Sequence, residues 1–294
     1  MTAPGSPQRC DHRSVVLWLR CVSVLVVGMV VAGGATRLAG AGLSITEWRP
    51  ITGILPPRGA EAWAAAFKSY QVIPQFRVIN PHMTLPQFQT IYYWEYAHRL
   101  LGRFLALAYL FPFLVFWMQE RLRGGLAWRL LAPLFLVGLQ GLLGWYMVKS
   151  GLSERTSVSH YRLAAHLSLA LFLLSYLHWQ ILKLSTESEK QAASTPPTLV
   201  TVFFSVVAVQ IVFGAFVAGT KAGYGYPTFP TMAGYWLHPD ALRLHPLWVN
   251  FFENPAMIQW IHRMLAWVLL LAGIGAWRAA IFERSPRLRR TLVV

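Results

Sequence analysis

Three histidines lie inside long apolar stretches of the sequence, at His98, His166 and His262. Ionisable side chains inside a membrane span are costly and usually serve a function. Each follows the start of its stretch by about six residues, which at 1.5 Å per residue places it roughly 10 Å below the same membrane face. A haem held between helices requires such a set, because its iron takes imidazoles from opposite faces. We therefore predict that these histidines bind haem iron; the alternative is that each joins neighbouring helices through hydrogen bonds.

A carboxylate and several arginines accompany these histidines. Glu95 precedes His98 by three residues, so both lie on one face of a helix. Beside a haem, Glu95 could act as a base or stabilise developing positive charge; the alternative is an ion pair with Arg99 or Arg103. Arginines near the same membrane face are candidates for binding the haem propionates, because a guanidinium binds a carboxylate in a fork, although each could instead extend to lipid headgroups. These candidates are Arg37, Arg99, Arg162 and Arg263.

The composition indicates a membrane protein. Of 294 residues, 55% are hydrophobic and only 13% are charged, against about 25% charged residues in a soluble domain. The formal net charge of +15 would suggest nucleic-acid binding in a soluble protein. Here the basic residues mostly flank the apolar stretches, as membrane-anchoring charges do, so we expect no nucleic-acid partner. Six stretches approach or exceed the roughly 20 residues that span a bilayer. They are about Val15–Ala35, Ile91–Trp117, Leu130–Val148, Tyr161–Leu182, Leu199–Ala218 and Ala256–Ile281.

The distribution of basic residues predicts the orientation in the membrane. The N-terminal tail and the segments Gln119–Arg129, Lys183–Pro197 and Arg284–Arg290 would share one side, which the positive-inside rule makes cytoplasmic. The other side receives two long segments, Thr36–Thr90 and Thr220–Pro255, whose Pro, Gly and aromatic residues predict ordered caps. We therefore expect a multi-pass protein of a bacterial inner membrane with a cytoplasmic N-terminus.

An internal repeat predicts two related halves. The second apolar stretch carries Glu95-Tyr96-Ala97-His98-Arg99, and the sixth carries Gln259-Trp260-Ile261-His262-Arg263. Such repeats are common in membrane proteins. We predict an all-α polytopic helix bundle of two related four-helix halves. The first half would be residues 1–184, with one haem site; the cytoplasmic linker would be 185–198; and the second half would be 199–294, incomplete, with a second haem site.

The separation between His98 and His262, added to His166, places the counterpart of His166 beyond Val294, the last residue. We therefore expect the second half to bind its haem weakly or through one protein ligand. The alternative is that a partner chain, or a second copy in a homo-oligomer, supplies the missing ligand.

The sequence resembles the haem A synthase family over about residues 28–263. The matching segments combine glycine-rich span ends, outer-loop motifs and histidine–arginine pairs, and together they are highly specific. The first outer loop has no cysteine pair, which is similar to the proteobacterial and mitochondrial branch. The matching segments are 33–38, 42–53, 94–99, 144–152, 161–166, 228–232, 253–254 and 259–263.

The resemblance implies an activity that composition does not. The family oxidises the C8 methyl group of haem O to a formyl group through successive hydroxylations, and the haem A formed supplies cytochrome oxidase. The resemblance implies that His98 and His166 hold the substrate haem, and that Glu95 stabilises a carbocation-like intermediate. It further implies a haem b cofactor bound by His262, haem O synthase as a partner, and an electron acceptor in the membrane. Family members have eight spans and a fourth histidine in the last, and here this sequence departs from them.

Two other functions fit the histidines. The first is a di-haem, cytochrome b-type membrane electron carrier without substrate chemistry; Glu95 and the long outer segments favour the enzyme over it. The second is a transporter that uses histidines as proton relays, which predicts no bound haem.

Overall fold

The computed structural model describes residues 12–153, 155–185 and 198–282, and these are helical apart from turns and one isolated bridge between Met232 and Tyr235. Among these residues, six helices are long and apolar enough to cross a membrane. The prediction of an all-α polytopic bundle with about six spans is therefore confirmed. The helices in chain order are α1 (Arg13–Leu38), α2 (Gly59–Gln71), α3 (Pro74–Ile79), α4 (Leu85–Met118), α5 (Gly125–Ser153), α6 (His160–Ser185), α7 (Thr198–Thr220), α8 (Ala222–Gly225), α9 (Asn250–Glu253) and α10 (Pro255–Phe282).

The six spanning helices are α1, α4, α5, α6, α7 and α10, and they extend beyond the predicted apolar stretches. The extension is largest at the start of α4, which begins at Leu85 rather than near Ile91. Thr84 and Gln87 form a capping box there, and a proline occupies the first turn, so polar residues start the helix before its apolar part. The predicted linker 185–198 falls almost entirely, and the basic segment 284–290 entirely, outside the described residues.

Residue contacts divide the chain into two compact units. The first comprises Met1–Val158 and Leu169–Lys190, and the second comprises Ser159–Ser168 and Gln191–Val294. Helix α6 thus contributes its first residues to the second unit and the remainder to the first. The predicted boundaries of the halves, at 1–184, 185–198 and 199–294, stay a prediction.

The core of the first unit is formed by α1, α4, α5 and the later part of α6. Two of these helices contain an internal proline, Pro112 in α4 and Pro133 in α5. Because proline has no N–H, it leaves the carbonyl four residues earlier without its helical donor. Aromatic donors on neighbouring helices supply the bond in both cases. Trp18 Nε1 donates to Ala108 O at 3.0 Å, and Tyr176 Oη donates to Arg129 O at 2.9 Å.

The first unit carries an ordered cap between α1 and α4, as the Thr36–Thr90 segment predicts. Helices α2 and α3 pack an aromatic cluster against the start of α4. Tyr70 is fully buried, donates to Gln75 Oε1 at 3.1 Å and accepts from Asn80 Nδ2 at 2.8 Å. Gln75 in turn donates to Gly40 O just beyond α1. The cap is therefore joined to the helix ends by hydrogen bonds as well as by apolar packing.

The second unit is built on the pair α7 and α10, with the first turns of α6 against them. The segment between α7 and α10 is also ordered and contains α8, α9 and two 3-10 turns at Pro239–Leu242 and Leu247–Val249. Two buried asparagines fix this segment to the start of α10. Asn250 bonds both the N–H and the carbonyl of Leu244, and Asn254 donates to Asp240 O at 2.6 Å.

Candidate functional site

The histidine of the first unit lies on a glycine of the neighbouring helix. His98, in α4, places its ring against Gly33 of α1, where a Cβ atom would come within 3.0 Å of the imidazole Cε1. Its Nδ1 is buried and has no hydrogen-bond partner among the described residues. Thr36 Oγ1 joins the same two helices by a bond of 3.3 Å to Trp94 O. The ring therefore occupies space that the absent side chain of Gly33 provides.

Glu95 lies one turn before His98, is only 3% exposed, and has its carboxylate fully engaged. Oε2 accepts from the backbone N–H of Ser44 at 2.7 Å, from the Ser44 hydroxyl at 2.7 Å and from the Ile45 N–H at 3.0 Å. Oε1 accepts hydrogen bonds from Nε and Nη2 of Arg99, at 3.1 and 2.7 Å. The ion pair considered as an alternative is thus present with Arg99. A carboxylate has about four lone-pair directions, so these contacts use its accepting capacity.

Two arginines on the same face of α4 bind the loop between α1 and α2. Arg99 donates to Ile45 O at 3.0 Å and approaches Glu47 O at 3.4 Å. One turn later, Arg103 donates to Pro50 O at 2.9 Å and to Arg49 O at 3.0 Å. Arg103 Nη1 is buried without a partner in the described part of the chain, which leaves one donor for a ligand.

The histidine of the second unit repeats the arrangement of the first. His262, in α10, lies on Gly214 of α7, where a Cβ atom would come within 3.2 Å of the ring Cε1. Its Nδ1 is also buried without a partner among the described residues. Its Nε2 lies 3.5 Å from the side-chain nitrogen of Gln210, one turn before Gly214. The prediction of a repeat is therefore matched by a repeated packing of imidazole on glycine.

The second unit has no carboxylate at the position that corresponds to Glu95. Gln259 stands where the repeat places Glu95, and its Oε1 is buried without a hydrogen-bond partner in the described residues. Arg263 has no carboxylate partner in the part of the chain that the structure describes. It donates to the backbone oxygens of Tyr226 at 2.8 Å and Thr231 at 3.1 Å, and approaches that of Pro230 at 3.4 Å.

The remaining predicted site residues lie at helix ends. His166 and Arg162 are in the first two turns of α6, in the part that belongs to the second unit, and Arg37 is in the last turn of α1. All three are half-buried. The pairing of His98 with His166 and the binding of propionates by Arg37, Arg99, Arg162 and Arg263 stay predictions.

The surroundings of His98 and His262 suit histidines that ligate a haem. Each histidine has a ring nitrogen buried without a partner, and each lies in a cradle that a Cβ atom on the facing glycine would fill. No group of three or more His, Cys, Asp and Glu side chains able to hold a metal ion occurs among the described residues. A haem does not need one, because the porphyrin supplies four of the iron ligands and the protein one or two.

Two tyrosines outside the spans have perturbed acidities. Burial raises the pKa of Tyr70, and the negative charge of Glu95 adds to this against the opposing hydrogen bond from Asn80. Burial likewise raises the pKa of Tyr226, with a contribution from Asp240. Both phenols therefore stay protonated at neutral pH and can donate hydrogen bonds.

Several residues of these sites were not predicted as functional. Ser44 belongs to a matching motif, but nothing in its type or position indicated that it binds Glu95. Arg103 entered only as an alternative partner of Glu95, although its spacing of one turn from Arg99 placed both on one helix face. Gln210 lies beside His262 but is not among the predicted site residues. A buried amide one turn from a small residue was the signal available for it.

Comparison with known proteins identifies relatives of the whole arrangement. Residues 16–294 match the model of a family described as cytochrome oxidase assembly protein. The chain is 44% identical to the haem A synthase of Parvibaculum lavamentivorans over 270 residues, which cover 92% of this chain and 78% of that protein. It is 44% identical to the haem A synthases of Brucella ovis and Brucella abortus over 288 residues, covering 97% of this chain and 80% of theirs. No solved structure matches the chain.

Proposed function

Because the chain belongs to the cytochrome oxidase assembly protein family, we propose that it is a haem A synthase, which oxidises the C8 methyl group of haem O to a formyl group through successive hydroxylations. The observation that carries the proposal is its similarity, over nearly its whole length, to proteins of that name. The sequence motifs resemble the same family. The histidine–glycine pairs support it, because each provides an imidazole with a buried ring nitrogen that has no partner among the described residues.

The first half would bind the substrate. In this proposal His98 would hold haem O through its iron, since the ring has a buried nitrogen without a partner among the described residues. His166 is proposed as the second ligand on the sequence pattern and the family resemblance. Imidazole ligation would hold the porphyrin iron at one position between the helices in each round.

Glu95 would act through its charge and not as a base. Five hydrogen bonds occupy its two oxygens, so it has no free lone pair with which to take a proton. A fixed, buried negative charge can still stabilise positive charge that develops at the reacting carbon, because it needs no reorganisation during the reaction. Arg99 and the two loop amides would keep that charge in place.

The second half would bind a haem b cofactor through His262. A haem there would supply one-electron transfer between the substrate and an acceptor in the membrane. Gln210 would lie beside the ligating imidazole. The absence of a carboxylate at Gln259 fits a site that carries electrons without stabilising a reactive intermediate.

The test is the identity of the haem before and after turnover. The purified chain in lipid nanodiscs is loaded with haem O and a reductant–oxygen system, and the extracted haems are separated and weighed. We expect hydroxylated haem and haem A from the wild type, and neither from His98→Ala. Haem O that is recovered unchanged from a haem-loaded wild type would support a cytochrome b-type electron carrier instead. Absence of any bound haem would contradict both.

The predicted location can be tested separately. We propose a bacterial inner membrane with the N-terminus on the cytoplasmic side, and the two capped ends outside. Cysteine-labelling at Glu120 and at Tyr224, two exposed positions in different connections, should react from opposite sides of intact cells. Labelling of both from outside would contradict the orientation.

A further inference from the structure

Side-chain donors on α4 hold the first outer loop by its backbone. Arg99 and Arg103 are one turn apart, and together they reach carbonyl oxygens of Ile45, Arg49 and Pro50. Glu95, one turn before Arg99, takes the N–H groups at the start of the same loop. A Cβ atom on Gly53 would come within 3.2 Å of Arg103 Nη2, so the loop also lies directly on this side chain.

The second unit uses the same device with a different loop. Arg263 follows His262 as Arg99 follows His98, and its donors reach the carbonyl oxygens of Tyr226 and Thr231. The loop it binds contains the hydrogen bonds Met232 N to Tyr235 O at 2.7 Å and Ala233 N to Thr228 Oγ1 at 2.7 Å. In both units, therefore, the arginine after the histidine points its guanidinium at loop carbonyls.

We infer that these arginines are positioning residues: Arg99 with Arg103, and Arg263, fasten the outer loop of their own unit to the helix that carries the histidine. The inference rests on the proposed function for what the histidines bind, and on the contacts alone for what the arginines do. A guanidinium suits this role because its rigid fork serves two carbonyl oxygens at once. Its charge also makes each bond stronger than one between neutral groups.

This role differs from propionate binding, which the sequence predicts for Arg99 and Arg263. In Arg99, Nε is bonded to Glu95, and Nη2 is shared between Glu95 and Ile45 O. A propionate that took over Nε or Nη2 would have to displace these acceptors and leave Ile45 O without its donor, which is costly. Binding of that kind would loosen the loop whenever haem bound, whereas a fastening role predicts that haem binding leaves the loop held.

Hydrogen exchange of the second loop tests the inference without any turnover. The full chain in nanodiscs is compared with Arg263→Gln and with Arg243→Gln, a matched control in the same loop whose side chain is 78% exposed. We expect the amides of Met232 and Ala233 to exchange about tenfold faster or more in Arg263→Gln, and at the wild-type rate in the control. Unchanged exchange in Arg263→Gln, or an equal rise in both variants, would overturn the inference.

The first loop is tested in the same way with Arg103→Gln. Its control is Arg49→Gln, which removes an exposed side chain that pairs with Glu47 but keeps the backbone carbonyl that Arg103 uses. We expect faster exchange at Gly53 and Ile54 only in Arg103→Gln. Repeating the measurement with haem b and haem O added separates the two roles, because propionate binding predicts loosening on haem addition and fastening predicts none.

A spectroscopic signature distinguishes positioning from general support of the fold. In haem b-loaded protein, Arg263→Gln should keep haem content near the wild-type level at saturating haem, but broaden or shift the electron paramagnetic resonance signal of the ferric haem. Arg263→Lys, which retains the charge and one donor direction, should recover part of the signal. A wild-type signal in Arg263→Gln would refute the positioning role. Faster loop exchange in a protein that makes no haem A would instead refute only the proposed function.

Discussion

The two units share an arrangement of histidine, glycine and arginine, and they differ in the buried carboxylate beside it. In each, a histidine lies on a glycine of the facing helix, and the next residue is an arginine that binds the outer loop. Glu95 completes the first unit with a buried carboxylate that the loop and Arg99 surround, whereas Gln259 in the second leaves an amide oxygen buried without a partner among the described residues. In the proposed function the shared arrangement would hold a haem in each unit, and the carboxylate would mark the unit where the chemistry occurs.

Removing the two histidines should separate the two roles most strongly. We expect His98→Ala to lower haem A formation by at least about 100-fold, while the haem b spectrum of the second half remains. His262→Ala should remove that spectrum, while haem O still binds. Absorption spectra and extracted haems measure both effects. If either variant removes both haems to the same extent, the halves are not independent sites.

Adding a methyl group beneath each imidazole is a milder change. Gly33→Ala places a Cβ atom 3.0 Å from His98, and Gly214→Ala places one 3.2 Å from His262. The ring or the helix must shift, so we expect about a tenfold weaker affinity for the haem of that half, with the larger effect at Gly33. Haem titration of each variant measures this. Gly34→Ala is the control, because no atom lies within 4 Å of its new Cβ, and an equal loss there would contradict the cradle.

Giving the second half the carboxylate of the first should have the smallest effect. In Gln259→Glu, the new charge would lie one turn before His262 and one turn from Arg263. A negative charge near haem stabilises the oxidised iron, so we expect the reduction potential of the second haem to fall by roughly 20–60 mV. Redox titration measures the change. An unchanged potential would mean that the new side chain is protonated or turned away from the haem, and a rise would contradict the prediction.

The parts of the fold that follow from local pattern were predictable. Apolar length alone located the six spans. The ion pair of Glu95 with Arg99, which was one alternative for Glu95, is present, and the two residues are four apart in the chain. The Pro, Gly and aromatic residues of the two long segments indicated ordered caps. Each of these conclusions depends on residues close together in the chain.

The parts that depend on long-range geometry were not predictable. Ser44 reaches Glu95 only because the loop after α1 folds back on α4. Gly33 faces His98, whereas the other glycines of the first span do not. Predicting this requires knowledge of how α1 and α4 are rotated about their axes. The carbonyls that lose their helical donor to Pro112 and Pro133 accept hydrogen bonds from side chains on other helices. No sequence spacing relates these donors to their acceptors.

The most direct test of the account is the product formed per bound haem O in Glu95→Gln. This variant gives the first half the amide of the second while preserving the shape of the side chain. We predict that it binds haem O with the spectrum of the wild type but forms about 100-fold less haem A, with hydroxylated haem as the main product that remains. Normal haem A per bound haem O would contradict the claim that this buried carboxylate distinguishes the reactive half from the electron-carrying one.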